Sequence, residues 1–169
     1  PYDPKSTKFL CLKEMCVDDK EEQLVSIEAF SKTLDWFGPM QDGIGLLVKI
    51  EDLLKQPYFH GDLGAPESET MLVTKAVGTF LARFSARDPG CYAISTLGEG
   101  NKVKHYRVYH KPGLKFMIGK TEVNSIQEIV TKYSTELGLK DPCPGSPYEK
   151  IFQKQAPQIS EGYQIPEFS

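Results

Sequence analysis

The chain has 169 residues, with 20 Lys and Arg against 23 Asp and Glu, and a formal net charge of −3. Because 40% of the residues are hydrophobic, the composition excludes disordered and collagen-like chains. No apolar run approaches the roughly 18 residues of a membrane span, so we expect no membrane association. The chain begins at Pro1 without a leader pattern, and we therefore expect a segment of a larger protein.

The four cysteines are too sparse for a disulfide framework, and none has a partner at metal-ligand spacing. They are Cys11, Cys16, Cys91 and Cys143. The acidic run that starts at Asp18 does not fit a calcium loop, because Gln23 stands where that loop requires Gly. We expect reduced thiols, no metal and no cofactor, in the cytoplasm or alternatively in the nucleus.

The first part of the chain divides into an N-terminal segment, residues 1–24, and a helical linker, residues 25–57. The N-terminal segment is polar and predicts a solvated loop. The linker predicts two short amphipathic helices, the first capped by Ser26 and the second ended by Pro57. Trp36, the single Trp of the chain, is expected to be a packing anchor beside the first helix.

Beyond Pro57 the hydrophobic pattern changes from a helical period to alternation. A helix is expected over 67–73, three strands over 79–85, 91–97 and 103–109, and a second helix over 125–133. This order predicts an α+β fold with a central antiparallel sheet flanked by two helices, preceded by the short helical linker. Residues 145–169 form a C-terminal tail, whose polar part from Gln153 to Ser169 is expected to be flexible or laid on the surface.

An arginine stands in the middle of the first predicted strand. Alternation places Phe80, Ala82 and Phe84 on one face of that strand and Leu81, Arg83 and Ser85 on the other. A buried guanidinium is costly without an anion, so Arg83 must meet an internal carboxylate or an external anion such as phosphate. The strand pattern leaves both alternatives open.

The stretch from Lys102 to Lys115 is basic although the chain as a whole is acidic. It contains five basic residues, two of the three His residues and no acid: Lys102, Lys104, His105, Arg107, His110, Lys111 and Lys115. This stretch is either an anion site or a solvated charged face. Because the positive surface is small and the overall charge is negative, we expect no nucleic-acid binding by the chain itself.

Five segments in register resemble an SH2 domain. They are Tyr58–Gly61, Gly78–Ser85, Pro89–Ser95, Val103–Val108 and Leu139–Pro144. The resemblance places the SH2 domain at residues 58–144. It implies a module that binds phosphotyrosine-containing proteins or peptides within an intracellular signalling protein.

The resemblance also implies roles for single residues. Arg83 matches the strand arginine that holds the phosphate with two parallel hydrogen bonds, and Ser85 begins the phosphate-binding loop, to which Arg87 adds a charge. His105 and Arg107 match positions that shape the phosphotyrosine pocket, and Tyr106 matches a peptide-contacting position. Ala65 stands where many members have an arginine, so one phosphate contact is missing, and Arg87 or Arg107 is expected to compensate.

The linker is similar to the one that precedes the SH2 domain in STAT-type transcription factors and in amoeba-type kinases that end in an SH2 domain. Residues 25–30 and 35–39 carry this similarity, and the full second helix, Ser125–Tyr133, favours the kinases. Kinase motifs are absent from these residues, so we expect no enzyme activity in this chain. The full-length protein is expected to be a protein kinase, whose adjacent kinase domain is a candidate partner.

Two alternatives to this interpretation remain. One is a STAT-like fragment of a transcription factor, and the other is a structural brace that packs on a neighbouring domain. Exposed apolar side chains at Leu34, Trp36 and Leu47 would favour the brace. Separately, Tyr148 and Tyr163 each precede an apolar or Pro residue by three positions, and a phosphorylated tail tyrosine could be a ligand. Ordinary surface tyrosines are the simpler interpretation.

Overall fold

The chain forms a small helical region followed by a six-stranded sheet, in a computed structural model that describes residues 3–19, 24–39, 43–110 and 115–153. The helical region comprises α1 (Thr7–Cys16), β1 (Val17–Asp19), β2 (Leu24–Val25), α2 (Ile27–Phe37) and α3 (Gly43–Leu54). The second region begins with α4 (Ala65–Leu72), β3 (Thr79–Phe84), β4 (Tyr92–Leu97) and β5 (Val103–His110). It continues with β6 (Phe116–Ile118), β7 (Thr121–Val123), α5 (Ile126–Lys132), α6 (Ser134–Leu137), β8 (Asp141–Pro142) and α7 (Glu149–Gln153).

The prediction of a solvated loop over residues 1–24 was wrong, because α1 and the short β1–β2 pair occupy most of it. Ser6 caps α1 by accepting a hydrogen bond from the backbone N–H of Phe9 at 3.4 Å. Cys11 is fully buried within the core, and Lys8 reaches Glu51 of α3 at 3.2 Å. Packing against α3 therefore stabilises a helix whose own sequence pattern is weak.

The two predicted linker helices are confirmed as α2 and α3. Ser26 caps α2 through a 3.0 Å hydrogen bond from the Ala29 N–H, as expected from its position. Trp36 is confirmed as a packing anchor, because its ring stacks on Phe84 with the ring centroids 3.8 Å apart. Leu34 and Trp36 are partly buried against the core, and Leu47 is buried. The exposed apolar positions that would favour a brace are therefore not present at these residues.

The sheet has the strand order β7-β6-β5-β4-β3-β8 and is antiparallel except for the parallel pair β3–β8. Helix α4 packs with Leu81 on one face, and α5 packs on the opposite face, where Phe80, Ala82 and Phe84 point. The predicted fold class and the predicted alternation of β3 are confirmed. The three-residue strands β6 and β7 and the two-residue β8 were not predicted.

The segment after residue 144 packs on the core, at least as far as residue 153. Tyr148 is 8% exposed and its ring is stacked on Phe59, with centroids 5.8 Å apart. The Ser146 hydroxyl donates to the Phe59 carbonyl at 2.6 Å, and α7 contacts α1. The interpretation of Tyr148 as a tyrosine outside the domain core was therefore wrong. Tyr163 lies outside the described residues.

The four cysteines are buried, and none of them forms a disulfide. Searched over the described residues, the structure has no helix that is both long and apolar enough to cross a membrane.

Candidate functional site

A pocket of about 720 Å³ opens on the face of the sheet that carries α4. Its lining contains five of the predicted site residues together with Ala65: Arg83, Ser85, Arg87, His105 and Arg107. The remaining predicted residue, Tyr106, follows the alternation of β5 and is partly buried against the core on the opposite face. Folding thus brings five residues, from two separate stretches of sequence, to one pocket.

Arg83 is the buried cation of this pocket, with 6% of its surface exposed. Its Nη1 donates hydrogen bonds to the carbonyls of Leu63 at 3.2 Å and Phe84 at 3.3 Å. Its Nε is buried without a hydrogen-bond partner among the described residues. Burial lowers the pKa of Arg83, whereas the nearby carboxylates of Glu67 and Glu69 raise it, and a guanidinium stays protonated in either case.

Arg83 forms no ion pair with any described carboxylate. The alternative of an internal salt bridge is therefore excluded for the part of the chain that the structure describes. A buried guanidinium whose remaining N–H groups lack an anion is suited to receive one from outside the protein.

The loop that follows β3 forms one wall of the pocket. The Ser85 N–H donates to the Cys91 carbonyl at 2.9 Å, and the Cys91 N–H donates to the Asp88 carbonyl at 3.1 Å. The Asp88 N–H donates to the Ser85 hydroxyl oxygen at 3.3 Å. These bonds close the loop into a short turn with Ser85, Ala86 and Arg87 at the pocket.

His105 is held between two side chains that sequence reasoning missed. A 2.8 Å hydrogen bond joins its Nδ1 to the Ser95 hydroxyl, and a 3.0 Å bond joins its Nε2 to Glu69 of α4. A His105 that is protonated at Nε2 and not at Nδ1 satisfies both, because it donates to Glu69 and accepts from Ser95. Ser95 and His105 are direct cross-strand partners, so hairpin register was the signal that could have identified Ser95.

Arg107 lies at the mouth of the pocket beside an acid and an aromatic ring. Its Nη1 is 3.3 Å from the Asp88 carboxylate and 3.5 Å from the Tyr109 hydroxyl. Tyr109 is also part of the pocket lining and is 49% exposed. Tyr109 was not predicted as a site residue, although the two-residue period of β5 places it on the face of Arg107.

The pocket takes His105 and Arg107 from the basic stretch, whereas Lys102, Lys104 and Lys115 do not line it. Those three lysines are exposed, as in a solvated charged face. Lys111 lies outside the described residues.

The arrangement is suited to a doubly charged phosphate group. It combines a buried guanidinium, two arginines near the rim, a hydroxyl and the backbone N–H groups of a turn, which are the donors that phosphate oxygens accept best. Ala65 contributes only a methyl group, so its position supplies no cation. Among the described residues, no three His, Cys, Asp or Glu side chains are grouped so that they could hold a metal ion.

Comparisons with known proteins give the family of one part of the chain. Residues 58–133 match the family model of the SH2 domain. The dual specificity protein kinases shkA and shkC of Dictyostelium discoideum are 38% and 36% identical to the chain, over 86% and 72% of its length. The chain spans only 28% and 26% of those two relatives, about a quarter of each.

A solved structure is also similar in sequence. The SH2 domain of a CRK/CRKL homologue from Monosiga brevicollis is 33% identical, with 53% of this chain and 88% of that one covered and a TM-score of 0.49. The shkA alignment is longer than residues 58–133, so that similarity includes flanking segments as well. SH2 domains recognise phosphorylated motifs through arginine clusters. Residues 58–133 of the chain therefore belong to the SH2 domain family.

Proposed function

We propose that this chain binds phosphotyrosine-containing peptides at the Arg83 pocket, as the recognition module of an intracellular signalling protein. The observation that carries the proposal is the buried Arg83 guanidinium, which forms no ion pair with a described carboxylate and faces an open pocket. Lys could not replace it equally, because only a guanidinium offers two parallel N–H donors to one phosphate.

In this proposal the other pocket residues contact the remaining phosphate oxygens and the tyrosine ring of the ligand. Ser85 and the loop N–H groups contact the phosphate, and Arg87 supplies a second positive charge in place of the missing one at Ala65. His105 and Arg107 flank the tyrosine ring from β5. Tyr106 meets the peptide residues that follow the phosphotyrosine, where the peptide crosses β5 toward the opposite face.

For the whole protein we propose a kinase with its catalytic domain outside this chain. Both Dictyostelium relatives are named dual specificity protein kinases, and most of their length lies outside the aligned part. We place the protein in the cytoplasm, with the nucleus as the alternative compartment, and propose that the kinase domain is an intramolecular neighbour of this module. No observation favours the STAT-type alternative over this one.

A calorimetric titration tests the proposal. The chain is titrated with a degenerate phosphotyrosine peptide pool and with the unphosphorylated pool. We expect binding of the phosphorylated pool alone, with micromolar affinity, which corresponds to a binding free energy of about 8 kcal/mol. Arg83→Ala should lose roughly 2 to 5 kcal/mol, because the phosphate would lose the buried guanidinium of the pocket. Arg83→Lys should lose part of that, because it keeps the charge without the paired donors.

A charge-matched control separates the pocket from the general charge of the hairpin. Lys104 is exposed on the same strand as His105 and Arg107 but does not line the pocket. Lys104→Ala should therefore change the affinity by less than about twofold, as expected for a screened surface charge. Equal binding by Arg83→Ala, with its fold verified by urea unfolding, would show that the site is elsewhere.

A further inference from the structure

The loop of residues 85–91 follows β3 and forms one wall of the pocket. The linker helix α2 contacts this loop from the side opposite the pocket. Trp36 at the end of α2 stacks on Phe84, with ring centroids 3.8 Å apart and ring planes 18° apart. Phe84 follows Arg83 directly at the end of β3, so its ring and the Arg83 guanidinium lie on opposite faces of one strand. The backbone of Trp36 is fixed as well, since its carbonyl accepts a 3.1 Å hydrogen bond from the Tyr92 hydroxyl.

A second contact joins the two backbones directly. Gly90, near the end of the loop, has a φ of +80°, which favours glycine. A Cβ atom there would lie 2.8 Å from the carbonyl oxygen of Asp35 in α2. The glycine therefore permits an approach between the loop and the linker helix that another residue would obstruct.

A third observation shows that the loop is a wall shared by two concave surfaces. A groove of about 230 Å³ lies between the linker and the loop. Its lining includes Asp35 and Trp36 of the linker and Ser85, Ala86, Pro89 and Gly90 of the loop. Ser85 and Ala86 also line the Arg83 pocket. The loop thus has the linker groove on one side and the Arg83 pocket on the other.

We propose that Trp36 and the end of α2 are positioning elements of the phosphate site, which hold the loop in its closed form before ligand arrives. The inference rests on the proposed function. A loop that is already ordered loses less conformational entropy on binding, so its N–H groups bind a phosphate more tightly. The SH2 segment alone would then bind phosphotyrosine peptides more weakly than the same segment with its linker.

Trp36→Ala and Trp36→Phe in the whole chain test this proposal. Trp36→Ala should weaken binding of the phosphotyrosine peptide pool about 5- to 20-fold, which lies in the lower part of the usual range for coupling between sites. Trp36→Phe should bind within about twofold of wild type, because a phenyl ring still stacks on Phe84. The indole Nε1 has no hydrogen-bond partner among the described residues, so the phenylalanine gives up no bond that they supply.

A matched core variant distinguishes an effect on the position of the loop from a general loss of folding stability. Ile50 of α3 is fully buried in the same core but lines neither the pocket nor the groove. Ile50→Ala should lower the urea midpoint yet leave the affinity of the folded protein unchanged. Hydrogen exchange of the 85–91 amides should become faster in Trp36→Ala and stay as in wild type in Ile50→Ala.

Two results would overturn the proposal. One is wild-type affinity in folded Trp36→Ala, and the other is an equal loss of affinity in Ile50→Ala. If Trp36→Ala does not fold, Gly90→Ala tests the contact from the loop side and should weaken binding as well. A failure of the proposed function is distinguishable, because then wild type would not bind the phosphorylated pool selectively, or Arg83→Ala would bind it equally.

Discussion

Two buried tyrosine hydroxyls differ in a way that predicts opposite effects of the same substitution. The hydroxyl of Tyr58 is buried without a hydrogen-bond partner among the described residues, and burial raises the pKa of Tyr58. The hydroxyl of Tyr92 is satisfied, since it donates to the Trp36 carbonyl at 3.1 Å. An unpaired buried hydroxyl is costly, whereas a paired one contributes a modest net stabilisation.

Tyr58→Phe should therefore raise the free energy of unfolding by about 1 kcal/mol, and Tyr92→Phe should lower it by about 1 kcal/mol. Urea unfolding of the two variants beside wild type measures both changes. Because each variant removes one oxygen from a buried ring, the difference in sign isolates the hydrogen bond. Two changes of the same sign would contradict this account of the two hydroxyls.

At the level of elements, the buried His60 connects two parts of the chain. It lies before α4 and bonds to the residue that follows β8. The ring Nε2–H of His60 donates to the carbonyl of Cys143 at 2.9 Å, and His60 is 5% exposed. Burial lowers the pKa of His60, although its hydrogen bond to Cys143 and the charge of Glu149 oppose this. Burial also lowers the pKa of His110, with Lys49 acting in the same direction.

These shifts predict that acidification destabilises the fold. Below the ordinary histidine pKa of about 6.5, the unfolded chain binds protons that the folded chain does not, so stability falls as the pH falls. Each such histidine contributes a slope of at most about 1.4 kcal/mol per pH unit. Urea midpoints between pH 7.5 and 5.5 should decrease, and His60→Gln, which keeps a donor near Nε2, should reduce the slope. Unchanged slopes in wild type and variant would exclude His60 as a source.

Over the whole molecule, the helical linker, the sheet and the C-terminal segment share one core. An aromatic series runs from Tyr148 to Phe59, Phe84 and Trp36, with successive centroid distances of 5.8, 5.1 and 3.8 Å. Tyr148 follows the sheet in sequence, and Trp36 precedes it. The parts named as linker, domain and tail in the sequence are therefore expected to unfold together.

This shared core predicts that a chain ending at residue 144 is less stable than the full chain. It would lose the buried Tyr148 ring, the Ser146 hydrogen bond to Phe59 and the packing of α7 on α1. Tyr148→Ala alone should cost about 3 to 5 kcal/mol, the usual range for a buried aromatic residue. Urea unfolding of the truncated chain and of Tyr148→Ala measures this. A truncated chain as stable as the full one would show that residues 145–153 do not stabilise the core.

The sequence predicted the features that depend on local pattern. Alternation identified β3, β4 and β5 and placed Arg83 opposite Phe84, and the Ser26 cap located α2. Helix α1 was missed because tertiary packing stabilises it, and β6 and β7 were missed because three residues show too little alternation. Ser95 and Glu69 at His105 were missed because their proximity depends on register and on the docking of α4.

The outer edge of β3 has a consequence for how any peptide can bind. The backbone groups along this edge already have partners. The Ala82 N–H donates to the Tyr58 carbonyl, and the Ala82 carbonyl accepts from the backbone N–H of His60. The Phe80 carbonyl accepts from the Cys143 N–H. The Phe84 N–H also donates, to the Gly61 carbonyl. No extended chain can therefore join the sheet beside β3 by strand addition. A ligand that binds at this strand is therefore contacted through side chains and not through a backbone ladder.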